Sequence, residues 1–390
     1  MPWRFATPAS EPSGINPNDG VNANSSRAVL ALDPINDAIM FKGTIAMASP
    51  IFIVSTGRCG STLLSNIVRQ HPQIASISEF FTSLSSIAFR GKTLTGPAIA
   101  NRLATLSPAG KALHANAIFV DEFLYPLAEG RYSATEVPPI LCTTLPHLAD
   151  QPDALWDELR TALEQRPASS VAEHYRFVFD WLTSRLGRTV WFERSGASLN
   201  WVVTLADWFP DARFIHIHRD GRDTALSMQK HPYFRLRTEA AERMRSFGMD
   251  PFSPFNSPGT SPWIPFFERL RFSTFSKTQY DRIKLPLAAF GRFWSAMICL
   301  GLKHLGPLGE DRLLSMSYET LVESPRSELE KMIQFVDPSL ADSSWLDAAS
   351  ALPTKRPPSW HRLSREEHDA LADACREGQE LLGYDNAYSK

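Results

Sequence analysis

The residues STGRCGSTLLS (55–65) follow the apolar run PIFIV (50–54) and precede NIVRQHP (66–72). Glycine-rich backbone between a strand and a helix offers N–H groups and the positive end of the helix to an anion, so the loop is a candidate cradle for phosphate or sulfate. Its members are Thr56, Gly57, Arg58, Cys59, Gly60, Ser61 and Thr62, with the two glycines permitting close approach. A Walker A loop needs four residues between its glycines and a Lys before the hydroxyl. Here only Arg58 and Cys59 intervene and Ser61 follows Gly60 directly, so this is not a nucleoside-triphosphate loop as written. No apolar strand ends in an unassigned Asp suited to hold a metal, which weakens kinase and ATPase readings. A Gly-Ser turn alone is a common structural device. A second signal strengthens the anion reading: FIHIHRDGRDTALS (214–227) puts Arg219 at the carboxyl end of a buried run and Ser227 eight residues later. Ligands of doubly wound sheets bind at the carboxyl ends of strands. In QIASISEFF (73–81), Glu79 follows a short alternating strand, and Phe80 and Phe81 are expected to desolvate it, as a base working near neutral pH requires.

The elements that must position these residues alternate short β-branched runs with amphipathic stretches, the signature of an α/β fold with a mostly parallel central sheet flanked by helices. PIFIV is the first strand, and Leu63, Leu64, Ile67 and Val68 recur at helical spacing before His71-Pro72. RTVWFERS (188–195) begins a second unit, which continues through a helix carrying Trp201, Val202, Leu205 and Phe209 on one side into the strand FIHI. RLLSMSYETL (312–321) begins a third, whose helix starts at Ser324 and Pro325 and turns Leu329, Met332, Ile333 and Val336 inward. Two long interruptions, at about 83–187 and 229–290, lie between the units, and the second mixes Pro, Gly and aromatics in the manner of a lid or of a self-packed surface loop. Residues 1–45 read as a disordered arm rich in Pro, Ser, Asn and Gly, and 46–390 as a single domain.

Forty Lys and Arg against 42 Asp and Glu leave a net charge of −2, so no global field argues for nucleic acid, and any anion site is local. No apolar stretch reaches the ~20 residues that span a bilayer. The four cysteines, Cys59, Cys142, Cys299 and Cys375, lack metal or redox spacing and fit a reducing, cytoplasmic setting. Oligomeric state is not legible.

These motifs resemble the sulfotransferases that use 3'-phosphoadenosine 5'-phosphosulfate (PAPS). STGRCGSTLLS is similar to their 5'-phosphosulfate loop and FIHIHRDGRDTALS to their 3'-phosphate element. WFERSG (191–196) is similar to a strand that carries Glu-Lys-Ser/Thr-Pro, and SMSYETLVESP (315–325) to a Tyr-Glu-x-Leu segment. The likeness runs from about Pro50 to Tyr384 in the family's motif order, with Arg194 where Lys is usual and Gly196 where Pro is usual. It implies a three-layer P-loop sulfotransferase-like fold. The implied activity is sulfuryl transfer from PAPS to an acceptor hydroxyl, with release of 3',5'-ADP (PAP) and no metal.

In-line displacement builds charge on the leaving phosphate, so Arg58 is expected to neutralise it, with Ser61, Thr62 and loop amides on its other oxygens. Arg194 is the second candidate cation, unless it pairs with its neighbour Glu193. The separation of 21 residues between Arg58 and Glu79 resembles the position of the base in tyrosylprotein and some carbohydrate sulfotransferases. His216 and His218 compete for that role, although their buried run suggests core histidines satisfied by backbone. Arg219 and Ser227 would hold the 3'-phosphate, helped by Arg222. Lys355 and Arg356 in TKRPPSWHRL resemble the C-terminal element that closes over the nucleotide, near Trp360. The acceptor is open between a small apolar or aromatic alcohol, a carbohydrate and a peptidyl tyrosine. A small-molecule P-loop kinase and a non-catalytic nucleotide-binding relative are the alternatives.

Overall fold

In the computed structural model, residues 49–252 and 264–384 are described, with side chains from residue 268 onward in the second segment. The proposed arm at 1–45 and residues 253–263 of the second interruption lie outside the described residues. Ile51–Val54 forms β1, buried on both faces as an unbroken apolar run requires. The other strands of the central sheet are β2 (Ile74–Ser78), β3 (Val190–Arg194), β4 (Arg213–His218) and β5 (Leu313–Ser317). They pair in the order β2-β3-β1-β4-β5, every neighbour parallel. Parallel pairing turns all five carboxyl ends to one edge.

Alternation along β1 splits the core. Ile51 and Ile53 join α1 (Ser61–Arg69), through Leu64, Ile67 and Val68, and the helix Pro325–Val336, through Leu329, Met332, Ile333 and Val336. Phe52 and Val54 face the larger helical layer on the other side. Helices thus cover both faces, the layered arrangement the sequence pattern implies.

Residues 83–187 are not an excursion from that core but part of it. Their helices include α3 (Pro108–Ala115), α4 (Pro152–Glu164) and α5 (Val171–Arg185), the last started by a capping box of Ser170 and Glu173. Trp156, Tyr175 and Phe179 are fully buried. Phe80, in the short helix α2 (Phe80–Leu84), meets Phe179 and Tyr175 edge to face at 4.8 and 5.1 Å, and Phe179 reaches Trp191 of β3 at 4.8 Å. Sequence periodicity missed this layer because its helices are interrupted by coil. The second interruption begins at the last residues of α6 (Gly221–Lys230), continues as α7 (Pro232–Ser246), and later holds α8 (Ile264–Ser273). Among the described residues no helix is long and apolar enough to cross a membrane.

Phe179→Ala should lower unfolding free energy by about 3–5 kcal/mol, the cost of a cavity at a buried aromatic, read as a lower urea midpoint at unchanged slope.

Candidate active site

Each candidate motif follows a strand's carboxyl end. After β1 the loop takes left-handed backbone at Gly57, Arg58 and Gly60, with φ of 78°, 57° and 91°. A Cβ on Gly57 would come within 2.5 Å of the Phe234 ring, and one on Gly60 would overlap the Tyr318 ring, so space as well as φ demands glycine. The Gly57 N–H donates to Ser55 Oγ (3.1 Å), and the Ser55 N–H donates to Ser198 Oγ (3.1 Å), which brace the turn. The Thr56 hydroxyl is spent on the Gly57 carbonyl, 3.1 Å away. Cys59 turns its thiol into the core toward the Ile217 carbonyl (3.3 Å), and burial pushes its pKa up, so it offers the cradle backbone alone. The N–H groups of Cys59 and Gly60 find no acceptor among the described residues.

Glu79 stands at the end of β2 in left-handed backbone (φ 57°), its N–H held by the Arg194 carbonyl at 2.7 Å. Its carboxylate is ion-paired with Arg194 Nη1 and accepts from the Gly196 N–H at 3.0 Å. Arg194 Nη2 donates to Ser78 Oγ (2.7 Å). The expected surroundings of Glu79 need correction: Phe80 and Phe81 turn into the aromatic core, and donors, not rings, meet the carboxylate. Arg194 pairs with Glu79 rather than with Glu193, because successive strand residues point to opposite faces. Glycine at position 196 also gains a reason, since a proline there would have no N–H to donate.

Glu193 instead accepts from Ser195 Oγ (2.6 Å), which itself accepts from the N–H groups of Phe81 (3.0 Å) and Thr82 (3.3 Å). Burial first, opposed by the Ser195 bond, and then the charge of Glu79 push the Glu193 pKa up to about 8.

Arg58 is neither solvated nor alone. Its Nη1 pairs with Glu122 Oε1 at 2.7 Å, its Nη2 reaches Asp121 at 3.5 Å, and its Nε donates to Ser227 Oγ at 3.1 Å. His231 Nε2 lies 3.0 Å from Glu122 Oε2. Burial would raise the Glu122 pKa, but the hydrogen bond and charge of His231, followed by Arg58, overcome this and hold it at about 2. Sequence reasoning missed Glu122 and His231: FVDEFLYP has no periodicity, and His231-Pro232 signals only a helix start.

Arg219 pairs with Asp223 (3.0 Å) and lies 4.5 Å over the Tyr318 ring, the ring that also covers Gly60. Tyr318 therefore joins three motifs that are remote in sequence. Asp223 also accepts from the Ser359 N–H (2.7 Å), which anchors the C-terminal segment beside α6. Lys355 and Arg356 are exposed on that segment, Lys355 reaching Glu323 at 3.4 Å. Arg222 does not face this edge as a phosphate ligand would. It is buried against Asp220 (2.7 Å) and stacked 3.8 Å over Trp360, which is itself buried. His216 and His218 are core histidines, but backbone does not satisfy them. His216 Nε2 has no partner among the described residues, His218 Nδ1 meets Tyr384 at 3.0 Å, and burial drops their pKa values to about 3 and about 4. Neither lines the cavity below.

That cavity, of about 1130 Å³, is lined by Gly57, Arg58, Ser61 and Thr62 together with Glu79 and Arg194. Arg219, Ser227, Lys355 and Arg356 are not among its lining residues. A strand-end anion loop beside a buried Glu–Arg pair fits group transfer to a bound acceptor. Residues 50–253, more than half of the chain, match the sequence profile of the sulfotransferase family. The chain belongs to the sulfotransferase family.

Solved structures similar to this sulfotransferase include the sulfotransferase domain of the Synechococcus PCC 7002 olefin synthase, at 18% identity, covering 87% of this chain and 96% of that one, with a TM-score of 0.42. A sulfotransferase from Alicyclobacillus acidocaldarius gives 15% identity, 86% and 96% coverage, and a TM-score of 0.39. Retinol dehydratase in complex with androsterone and inactive cofactor PAP gives 11%, 87% and 82%, and 0.30. Comparison with curated proteins gives no match.

Glu193 makes a checkable demand on this sulfotransferase. Its folded pKa of about 8 exceeds the ordinary 4.5, so its contribution is fully present below about pH 4.5 and is lost as pH rises through 8. Stability of the parent relative to Glu193→Gln should therefore fall across that interval, at up to about 1.4 kcal/mol per pH unit, measured by urea unfolding of both proteins at several pH values.

Proposed function

We propose that this sulfotransferase moves a sulfuryl group from PAPS to an acceptor hydroxyl by in-line displacement, with Glu79 as base and Arg58 as the main charge stabiliser. The observation that carries the reading is the one cavity that Gly57, Arg58, Ser61, Thr62, Glu79 and Arg194 line together. The residues present fit such a donor. Among the described residues nothing partners the buried Arg219 Nε or the loop N–H groups of Cys59 and Gly60, and a Cβ on Gly60 has no room. PAPS would supply the sulfuryl group and leave as 3',5'-ADP.

In this reading the loop amides and the Ser61 and Thr62 hydroxyls hold the sulfate-bearing phosphate at the start of α1. Arg219 and Ser227 take the 3'-phosphate, with Lys355 and Arg356 closing over the nucleotide. Glu79 accepts the proton of the acceptor hydroxyl as its oxygen bonds to sulfur, while the S–O bond to phosphate breaks and its electron pair stays on the phosphate. Arg194 and the Gly196 N–H fix the Glu79 carboxylate but leave it lone pairs, since a carboxylate has about four acceptor sites. Arg58 neutralises the leaving phosphate. Without donor its guanidinium is matched by Glu122, which avoids an uncompensated half-buried cation.

Calorimetric titration with 3',5'-ADP in EDTA should show binding without metal, and no affinity would remove the donor assignment. With labelled PAPS and an alcohol that is turned over, Glu79→Gln should lose at least ~100-fold in kcat; an unchanged rate would remove Glu79 as base.

A further inference from the structure

Beyond the loop, the cavity of about 1130 Å³ is walled mainly by apolar side chains, among them Leu113, Phe123, Met244, Phe252 and Phe272. It exceeds the ~300–1,000 Å³ of sites that take drug-sized ligands, so a small phenol would leave most of it unfilled. The charged groups on its wall are nearly all matched. Arg58 meets Glu122, Arg194 meets Glu79 and Arg271 meets Glu239, while Glu268 accepts from Ser86 through one oxygen and its other, Oε1, is buried with no hydrogen-bond partner among the described residues.

Among the described residues, Arg237 is the arginine of that wall with no anionic partner. It is half-buried, and no carboxylate or hydrogen-bond acceptor among the described residues meets it; its contact is the Tyr233 ring, 5.8 Å from its guanidinium carbon. The other charged residues of α7 are engaged: Arg235 by the Ile283 carbonyl, Glu239 by Arg271 and Arg243, and Glu242 by Arg245 and Arg292. Position explains the difference. Tyr233, Arg237, Ala240 and Met244 follow one another at steps of four, three and four, the stripe of α7 that lines the cavity. Phe234, a residue from the start of that stripe, packs over Gly57, so Arg237 stands about one turn along the helix from the transfer site.

We infer that the acceptor is an apolar alcohol bearing one carboxylate, with Arg237 as its carboxylate-binding residue. This rests on the sulfuryl-transfer reading above and names its substrate class. A neutral apolar acceptor would desolvate an unmatched guanidinium at a cost. A carboxylate would instead be gripped by the planar fork, while the apolar body fills the space between α3 and α7. The hydroxyl then delivers its proton to Glu79 and its oxygen to sulfur, with 3',5'-ADP as the leaving group.

The test uses the full chain, PAPS and matched probes: 12-hydroxydodecanoate, its methyl ester and 1-dodecanol, with 4-hydroxyphenylbutanoate and its ester as an aryl pair. The parent should favour each acid over its ester by ~10–100-fold in kcat/KM, the worth of one charge-assisted hydrogen bond. Arg237→Gln should raise KM for the acids by that factor, leave kcat and the esters nearly unchanged, and weaken acid binding in calorimetry with 3',5'-ADP present. Arg237→Lys should recover much of the loss. If acids and esters are sulfated equally, or if Arg237→Gln affects both alike, the substrate class is wrong while sulfuryl transfer stands. If no alcohol is sulfated and 3',5'-ADP does not bind, the parent reading fails and this one with it.

Discussion

Parallel pairing of β1 with β3 on one side and β4 on the other is the constraint on which the site depends. The ladder sets Ile53 beside both Arg194 and Ile215, so the chain leaves the sheet at nearly the same level on adjacent strands. The anion loop, the Glu79–Arg194 pair, Arg219 and Tyr318 all sit just beyond that level. Residues separated by more than 250 positions meet because five strands end together, not because their own segments hold them there. The aromatic layer under β2 and β3 keeps the sheet's far face dry and gives α2 a fixed seat, which aims Glu79.

Charge matching is the second organising fact. Glu79 and Arg194, Arg58 and Glu122, and Arg219 and Asp223 are each paired at or near the strand ends. Removing one partner of a buried pair strands the other charge, whereas an isosteric amide keeps shape and hydrogen bonding. In the proposed reading, a phosphate at the loop would compete with Glu122 for Arg58 instead of meeting a naked cation. Glu122, with His231 behind it, would then temper how strongly this guanidinium held the phosphate. Arg237 stands out against that background of matched charges.

Motifs and periodicity read the sheet well where apolar runs were continuous. The strand at 51–54 and residues 214–217 of the strand at 213–218 are buried, and Pro325 opens its helix as proline at a first helical position does. The region 83–187 resisted the same method because its helices are broken by coil and its aromatics are dispersed. Trp156, Tyr175 and Phe179 acquire meaning only when α4 and α5 lie against the sheet.

By itself the sequence determined the strand–loop–helix units, the glycines that let backbone approach an anion, and the order of the motifs that marks the family. These are local matters, decided by which φ values, side-chain volumes and spacings the chain permits. Tertiary structure alone decided the partners: that Arg194 turns to Glu79 and not to Glu193, that Arg58 rests on Glu122 and Ser227, and that Tyr318 lies between Gly60 and Arg219. Pairing and desolvation depend on which side chains converge in space, and that follows from strand order and helix packing, for which no single segment carries a signal.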